Sequence, residues 1–324
     1  MIALGIDVGY GYTKAVSSAG RNMTFPSAVG RAEQNGFRLG VATRERATLQ
    51  GGVLHVQGTW YWYGEQAQRH ARVALQPRDR GWIQSLPYRV LWHAVVDSLV
   101  PAGAAPWLVT GLPVRFYGDR ETLKQMVSEV LGVRQIAGAN VTVVPQPFGS
   151  FFDHILNAEG QVVDDRQARQ QMGIIDVGHY TTDLITVSDL DFVQKESGSL
   201  EVGVATVLDT LRQAIYDRWG RTLDMTECAR VLHTGQVRIS GTTQDVRPLC
   251  IDAQAEAAAA IVAYTHQLWG GGEAFDELLI TGGGGVVFCE SLRAEFSQAR
   301  LTSSSFLANA RGFLRYALYK ARAV

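Results

Sequence analysis

The 324-residue chain is poor in cysteine, has no excess of either charge and contains no long apolar run. Each shortage removes a class of protein. The three cysteines, Cys228, Cys250 and Cys289, are too few and too scattered for a disulfide framework or a zinc-ligand spacing. They are expected to be ordinary free thiols in a reducing compartment. Thirty basic and 31 acidic side chains leave a net charge of −1, so no global field draws the chain to DNA. No direct, specific DNA contact is expected, and any link to DNA would need a local patch or an adaptor. The most apolar helical tract, 253–269, is short and carries Gln254, Glu256 and His266, which argues against a membrane span. No leader pattern precedes the first strand, and a cytoplasmic location is expected. Two common nucleotide signatures are missing as well. No Gly-Lys-Ser/Thr follows any glycine run, and the first glycine turn has no G-x-G-x-x-G leading into a helix.

What the chain does contain is core. Hydrophobic residues make up 46% of it, enough for one long or two medium domains. Ile2–Ile6 and Thr13–Ser17 read as strands around a tight turn. Leu86–Val100 and Thr122–Leu131 have helical spacing, and Trp107–Thr110 and Val141–Val144 are compact strands. Residues 21–84 mix short strand signals, at Phe37–Val41, Gly52–Gln57 and Trp60–Tyr63, with glycines and charges such as Arg78 and Arg80, as a small inserted elaboration would. A helix is expected from Phe151, and residues 159–172 are polar throughout, which makes them the best boundary. Beyond them the order restarts. Strands are expected at Gly173–Val177, Thr182–Val187, Phe192–Gly198 and Glu277–Thr281. Helices are expected at Thr206–Trp219, Met225–Thr234, Ala253–Leu268, Ser291–Phe296 and Ser304–Ala321. This order implies two α/β domains with related cores.

Each domain opens on the same device, IDVGYGYTK at 6–14 and IDVGHYTTD at 175–183. In the first, Gly9 and Gly11 let a ligand approach the backbone amides of residues 9–13, Tyr12 among them. Thr13 adds a hydroxyl, Lys14 a positive charge and Asp7 a negative one. Amides, hydroxyl and lysine suit phosphate, whereas the aspartate suits it only through a cation, for which water-retaining Mg²⁺ is the natural bridge. The second turn repeats the idea with Asp176, Gly178, Thr181, Thr182 and Asp183, and His179 is placed to meet a phosphate or a bound water. Metal contacts are therefore expected at Asp7, Asp176 and Asp183. ITGGGG at 280–285 runs a strand into four glycines, and Gly282, Gly283 and Gly284 offer main chain against which an adenine or ribose can lie. Gln146, rigidly presented between Pro145 and Pro147, can orient a water for attack on a terminal phosphate but is no strong base. Glu201 in GSLEVG can accept a sugar hydroxyl, and Asp176 can assist Gln146 as a second catalytic group.

Together these residues resemble the actin-like ATPase superfamily, and within it the plasmid-segregation actins of the ParM/StbA kind. Asp7–Lys14 matches the first phosphate loop, Gly173–Asp183 the second and Ile280–Gly285 the adenosine loop. Pro145–Gln146 matches the first interdomain connection, and Ala308–Gly312 resembles the second. The resemblance implies a two-domain, ribonuclease H-like α/β fold with a nucleotide cleft between the domains. Domain I would be residues 1–158 plus 306–324, domain II residues 173–305, and 159–172 the connection. It also implies ATP or ADP with Mg²⁺ as ligands, slow assembly-coupled hydrolysis, self-association into filaments, and a DNA-bound adaptor for plasmid partition. One departure matters: ParM-like proteins commonly have glutamate where this chain has Gln146, whereas actin has glutamine. A nucleotide-sensing module without filaments and a small-molecule kinase of the same superfamily are the alternatives. Phe151, Phe152, Phe288 and Leu292 are either filament contacts or core.

Overall fold

A computed structural model describes residues 1–32, 51–75 and 80–323. The expected strand at Phe37–Val41 and Arg78 lie outside the described residues. The chain divides into two compact units, Met1–Arg169 with Leu307–Val324, and Gln170–Phe306.

The first unit begins with β1 (Ala3–Val8), β2 (Tyr12–Ser17) and β3 (Asn22–Pro26), an antiparallel meander. Asn22–Pro26 therefore belongs to the main sheet and not to the inserted elaboration. That elaboration is a separate three-stranded sheet of β4 (Val29–Arg31), β5 (Gly51–Val56) and β6 (Thr59–Gly64), followed by the short α1 (Glu65–His70). Alternation in β6 buries Tyr61 and Tyr63 while Trp60 stays exposed, so the aromatic run packs a sheet face. Next come α2 (Leu86–Leu99), capped by the Ser85 hydroxyl, and β7 (Trp107–Leu112). α3 (Arg120–Val133), β8 (Asn140–Pro145), α4 (Phe148–Ile155) and α5 (Asp165–Ala168) complete the run. β1, β7 and β8 are parallel neighbours, giving the order β3-β2-β1-β7-β8. The helix expected from Phe151 starts earlier, at Phe148, because Pro147 just before it has a φ of −65° that already suits a helix entrance.

The second unit repeats the plan. β9 (Met172–Val177) and β10 (Thr182–Ser188) form the hairpin, with β11 (Asp191–Phe192) and β12 (Gly198–Leu200) both pairing with β10. The single strand expected at Phe192–Gly198 is thus two short ones, interrupted by a 3₁₀ turn at Gln194–Glu196. α6 (Val204–Trp219), α7 (Met225–Thr234), the hairpin β13 (Gln236–Ile239) and β14 (Thr242–Asp245), and α8 (Arg247–Trp269) follow. β15 (Glu277–Thr281) lies parallel to β9, α9 (Gly285–Glu295) follows at once, and β16 (Ala299–Leu301) closes the edge. The helix expected at Ser291–Phe296 therefore begins at the fourth glycine. The chain then returns to the first unit with α10 (Ala308–Arg322).

Each central strand is buried on both faces, as parallel strands covered by helices are. In β1, Leu4 and Ile6 enter the main core, while Ala3 joins Val109, Phe313, Leu314 and Ala317 beneath α10. Phe151, Phe288 and Leu292 are buried core, and half-buried Phe152 stacks on Tyr316 with ring centroids 4.0 Å apart. Among the described residues no helix is long and apolar enough to cross a membrane.

The cysteines divide by the same packing. Cys228 and Cys250 are buried, and burial pushes the Cys228 thiol up to about 11 and also raises that of Cys250. Half-buried Cys289 lies on α9. An alkylating reagent at pH 8 is expected to modify Cys289 first, and the other two only on unfolding, as mass spectrometry of the timed reaction would read.

Candidate functional site

The two hairpins are built on one template. In the first, Asp7 stands across the ladder from Lys14 and Val8 from Thr13; in the second, Asp176 stands across from Asp183 and Val177 from Thr182. Both turns close alike, the Gly9 N–H donating to the Tyr12 carbonyl at 3.1 Å and the Gly178 N–H to the Thr181 carbonyl at 2.8 Å. Those two amides are committed to the turns, so what Gly9 and Gly178 contribute is backbone access. The threonine hydroxyls are committed too. Ser27 Oγ donates to the Gly9 carbonyl at 2.6 Å, so Thr13 Oγ1, 2.9 Å away, is the donor to Ser27 Oγ. Thr182 Oγ1 donates to the Val202 carbonyl at 2.8 Å. Ser27, which also donates its N–H to the Gly11 carbonyl, carries no motif by which the sequence could single it out.

The hairpins differ in charge. Asp7 is 2% exposed, with Lys14 Nζ 3.1 Å from Oδ2. Its other oxygen accepts a hydrogen bond from Gln146 Nε2 at 2.8 Å. A carboxylate only accepts, so this bond fixes which end of the Gln146 amide is nitrogen. The pair links residues 139 positions apart and puts the β8 terminus against the first turn. Burial above all, with the charge of Asp7 adding to it, holds the Tyr88 phenol well above its ordinary pKa. In the second unit the position equivalent to Lys14 is an acid. Asp176 and Asp183 are 5% and 3% exposed on neighbouring strands, and the Ser199 hydroxyl donates to Asp183. Two carboxylates so placed make this turn acidic where the first is balanced by Lys14.

Around the second turn the glycines allow close approach. A side chain on Gly203 would overlap the Gly178 and His179 carbonyls, which accept from the first amides of α6, those of Val204 and Ala205. Gly282, at φ +83°, lies so near Asp176 that a Cβ would overlap its carboxylate. Gly284 donates to the Val177 carbonyl at 2.8 Å and precedes α9, so the glycine run is a strand-to-helix turn laid on the Asp176 hairpin. His179 is half-buried with its ring edge-on to Tyr180, while Tyr12 and Glu201 are exposed.

Gln146 is placed by packing of its own. Gly111 on β7 leaves room for the Gln146 backbone, which a Cβ there would strike at 2.7 Å. Two residues on, α4 crosses α10 at Gly149 and Gly312. Asn309 Oδ1 accepts there from the Ser150 N–H at 3.0 Å and from the Ser150 hydroxyl at 2.7 Å, and Asp153 pairs with Arg311 and Arg315. Within each unit the structure thus gathers the expected residues: Asp7, Gly9, Lys14 and Gln146 in the first, Asp176, Gly178, Asp183 and Gly282–Gly284 in the second. Among the described residues no three acidic, histidine or cysteine side chains cluster as a direct metal cage. The donor set fits a cation that keeps its waters, as Mg²⁺ does, better than one that sheds them.

Comparison with known proteins bears on the family and the fold. Residues 5–149 match the family described as actin like proteins N terminal domain, and residues 174–294 match the archaeal actin homologue MreB-like, C-terminal domain. An archaeal actin homolog from Thermoplasma acidophilum is 29% identical over 238 residues, 68% of each chain. Among solved structures, a 15-stranded ParM filament from Clostridium botulinum aligns over 98% of both chains with a TM-score of 0.78 at 23% identity. An archaeal actin homolog in complex with ADP aligns over 98% of this chain and 99% of its own, with a TM-score of 0.75 at 20% identity. At those identities the structural likeness speaks for the fold alone.

Proposed function

We propose, for a chain that belongs to the actin-like ATPase superfamily, that it binds ATP with magnesium, hydrolyses it slowly and assembles with copies of itself into filaments. The observation that carries this reading is the matched pair of hairpins, with Asp7 across from Lys14 in one and Asp176 across from Asp183 in the other. One turn presents a balanced ion pair and the other two acids. Phosphates would lie against amides of residues 10–13 and 179–182, with His179 and Lys14 adding donors. Gly282–Gly284 would take the nucleoside and Glu201 a ribose hydroxyl. Magnesium, held through water near Asp7, Asp176 and Asp183, would offset the negative charge of the phosphates.

Gln146 carries the chemistry of the chain itself. Its Nε2 is held by Asp7, which leaves Oε1 to accept a hydrogen bond from an attacking water and so orient it. An amide cannot take the proton as a base, so alignment is its whole contribution and slow turnover is expected. The near-zero net charge favours an adaptor between such a filament and DNA, with plasmid partition as its use.

Sedimentation and phosphate release, each with ATP, ADP and a non-hydrolysable analogue, test this. The expected outcome is a pellet with ATP or the analogue, less with ADP, and phosphate release with no added acceptor. A monomer at high concentration under all three conditions overturns the filament reading. Phosphate transfer only when a small-molecule acceptor is supplied would make the chain a kinase instead.

A further inference from the structure

Beside the first hairpin the first unit has a small, partly open pocket of about 30 Å³, lined by Val8 and Gly9, by Gly111 and Leu112, by Trp82 and Gln146, and by the polar side chains of Tyr10, Tyr88 and Asp119. It is too small for a nucleotide or a metabolite. A water needs roughly 10–15 Å³ by this measure, together with two or more polar partners. Two such partners are present. Trp82 is 4% exposed, and among the described residues its indole Nε1 has no hydrogen-bond partner. Gln146 commits Nε2 to Asp7, and its Oε1 accepts no hydrogen bond among the described residues. A residue with a buried, unpartnered donor and a residue with an acceptor that no described side chain engages thus line one small pocket. A buried indole N–H left without a partner carries the desolvation penalty of a lost hydrogen bond, and native proteins commonly meet such a need with an ordered water.

We infer that this pocket holds a fixed water that accepts from Trp82 Nε1–H and donates to Gln146 Oε1. This water is a strut and not the nucleophile. One of its lone pairs is engaged by Trp82, and one of its protons by Gln146. A carbonyl oxygen has two lone pairs, so Oε1 still accepts from a second, attacking water. The carboxamide is then gripped at both ends, by Asp7 at nitrogen and by Trp82 through water at oxygen. Trp82 becomes a positioning residue for hydrolysis, 64 positions before Gln146 in the chain. The catalytic half of this inference rests on the role proposed for Gln146, whereas the water site does not.

A crystal structure of the full wild-type chain at about 1.5 Å resolution decides the water. Density within hydrogen-bonding distance of both Trp82 Nε1 and Gln146 Oε1 supports the site, and an empty pocket overturns it. Trp82→Phe keeps an aromatic ring but deletes the donor, and should lose the water. Its turnover number for ATP is expected to fall about tenfold, with KM and ATP affinity unchanged. A purely structural role would not produce that split, and unchanged turnover in a folded Trp82→Phe overturns the positioning role. If that variant does not fold, Gln146→Leu, which deletes the acceptor, must lose the same water. A wild-type protein that has the water but does not hydrolyse ATP refutes the role given to Gln146 and leaves the site established.

Discussion

Replacing Asp176 with asparagine is expected to weaken magnesium-dependent ATP binding by about a hundredfold while the folded protein becomes slightly more stable. The two effects share one cause. Asp176 and Asp183 stand opposite each other on β9 and β10, both almost wholly buried. Neutralising one removes a like-charge opposition from the nucleotide-free protein and a negative group from the place where a hydrated cation would sit. A gain of roughly 0.5–1 kcal/mol, or about 2 °C in Tm, is the scale for relieving such a pair. The equivalent change in the first unit, Asp7→Asn, should reverse the stability term. Asp7 offsets the buried charge of Lys14 at 3.1 Å, and removing one partner of a buried pair costs about 3 kcal/mol. Titration of ATP binding with and without magnesium, alongside thermal melts, separates the outcomes. If Asp176→Asn bound magnesium-ATP as the wild type does, this carboxylate would have no part in the site.

That opposition of charges was half legible in the sequence. The repeated IDVG segments are local, and a hairpin places the acid of one strand near whatever stands seven positions on, so Lys14 and Asp183 could be read as partners of Asp7 and Asp176. The committed hydroxyls could not be read, because Thr13 depends on Ser27, just past the end of β3, and Thr182 on Val202, both set by tertiary folding. Nor could the tie from Gln146 to Asp7, which depends on β7 and β8 lining up parallel to β1. The hairpin at Gln236–Asp245 leaves no signal in the sequence because its strands are mostly polar, with only Val237 buried, so alternation offers no apolar face. The four glycines were legible in part. A strand running into glycines calls for close backbone contact or a positive φ, which Gly284 against Val177 and Gly282 at φ +83° supply, but nothing in the run marks Gly285 as the start of α9.

Close packing of the same kind makes Gly312 the most sensitive backbone position in the first unit. Gly312→Ala is expected to lower stability by about 3 kcal/mol, near 8 °C in Tm, although alanine is the better helix former. A Cβ at Gly312 would overlap the Gly149 carbonyl and approach the Asp153 amide at 2.6 Å; these are backbone atoms of α4 that cannot rotate aside. The helices would have to part, and with them the bonds from Ser150 to Asn309 and the pairing of Asp153 with Arg311 and Arg315. Gly132→Ala is the matched control. It also lies in a helix, its Cβ would meet nothing within 4 Å, and about 0.5–1 kcal/mol of gain is expected. Because α4 starts two residues after Gln146, parting the helices should also loosen Gln146 from Asp7. Turnover should then fall in Gly312→Ala at temperatures where the protein is still folded, and more steeply than ATP affinity. Equal melting temperatures for the two alanine variants would mean that α4 and α10 can separate at no cost, and that their crossing does not set where Gln146 stands.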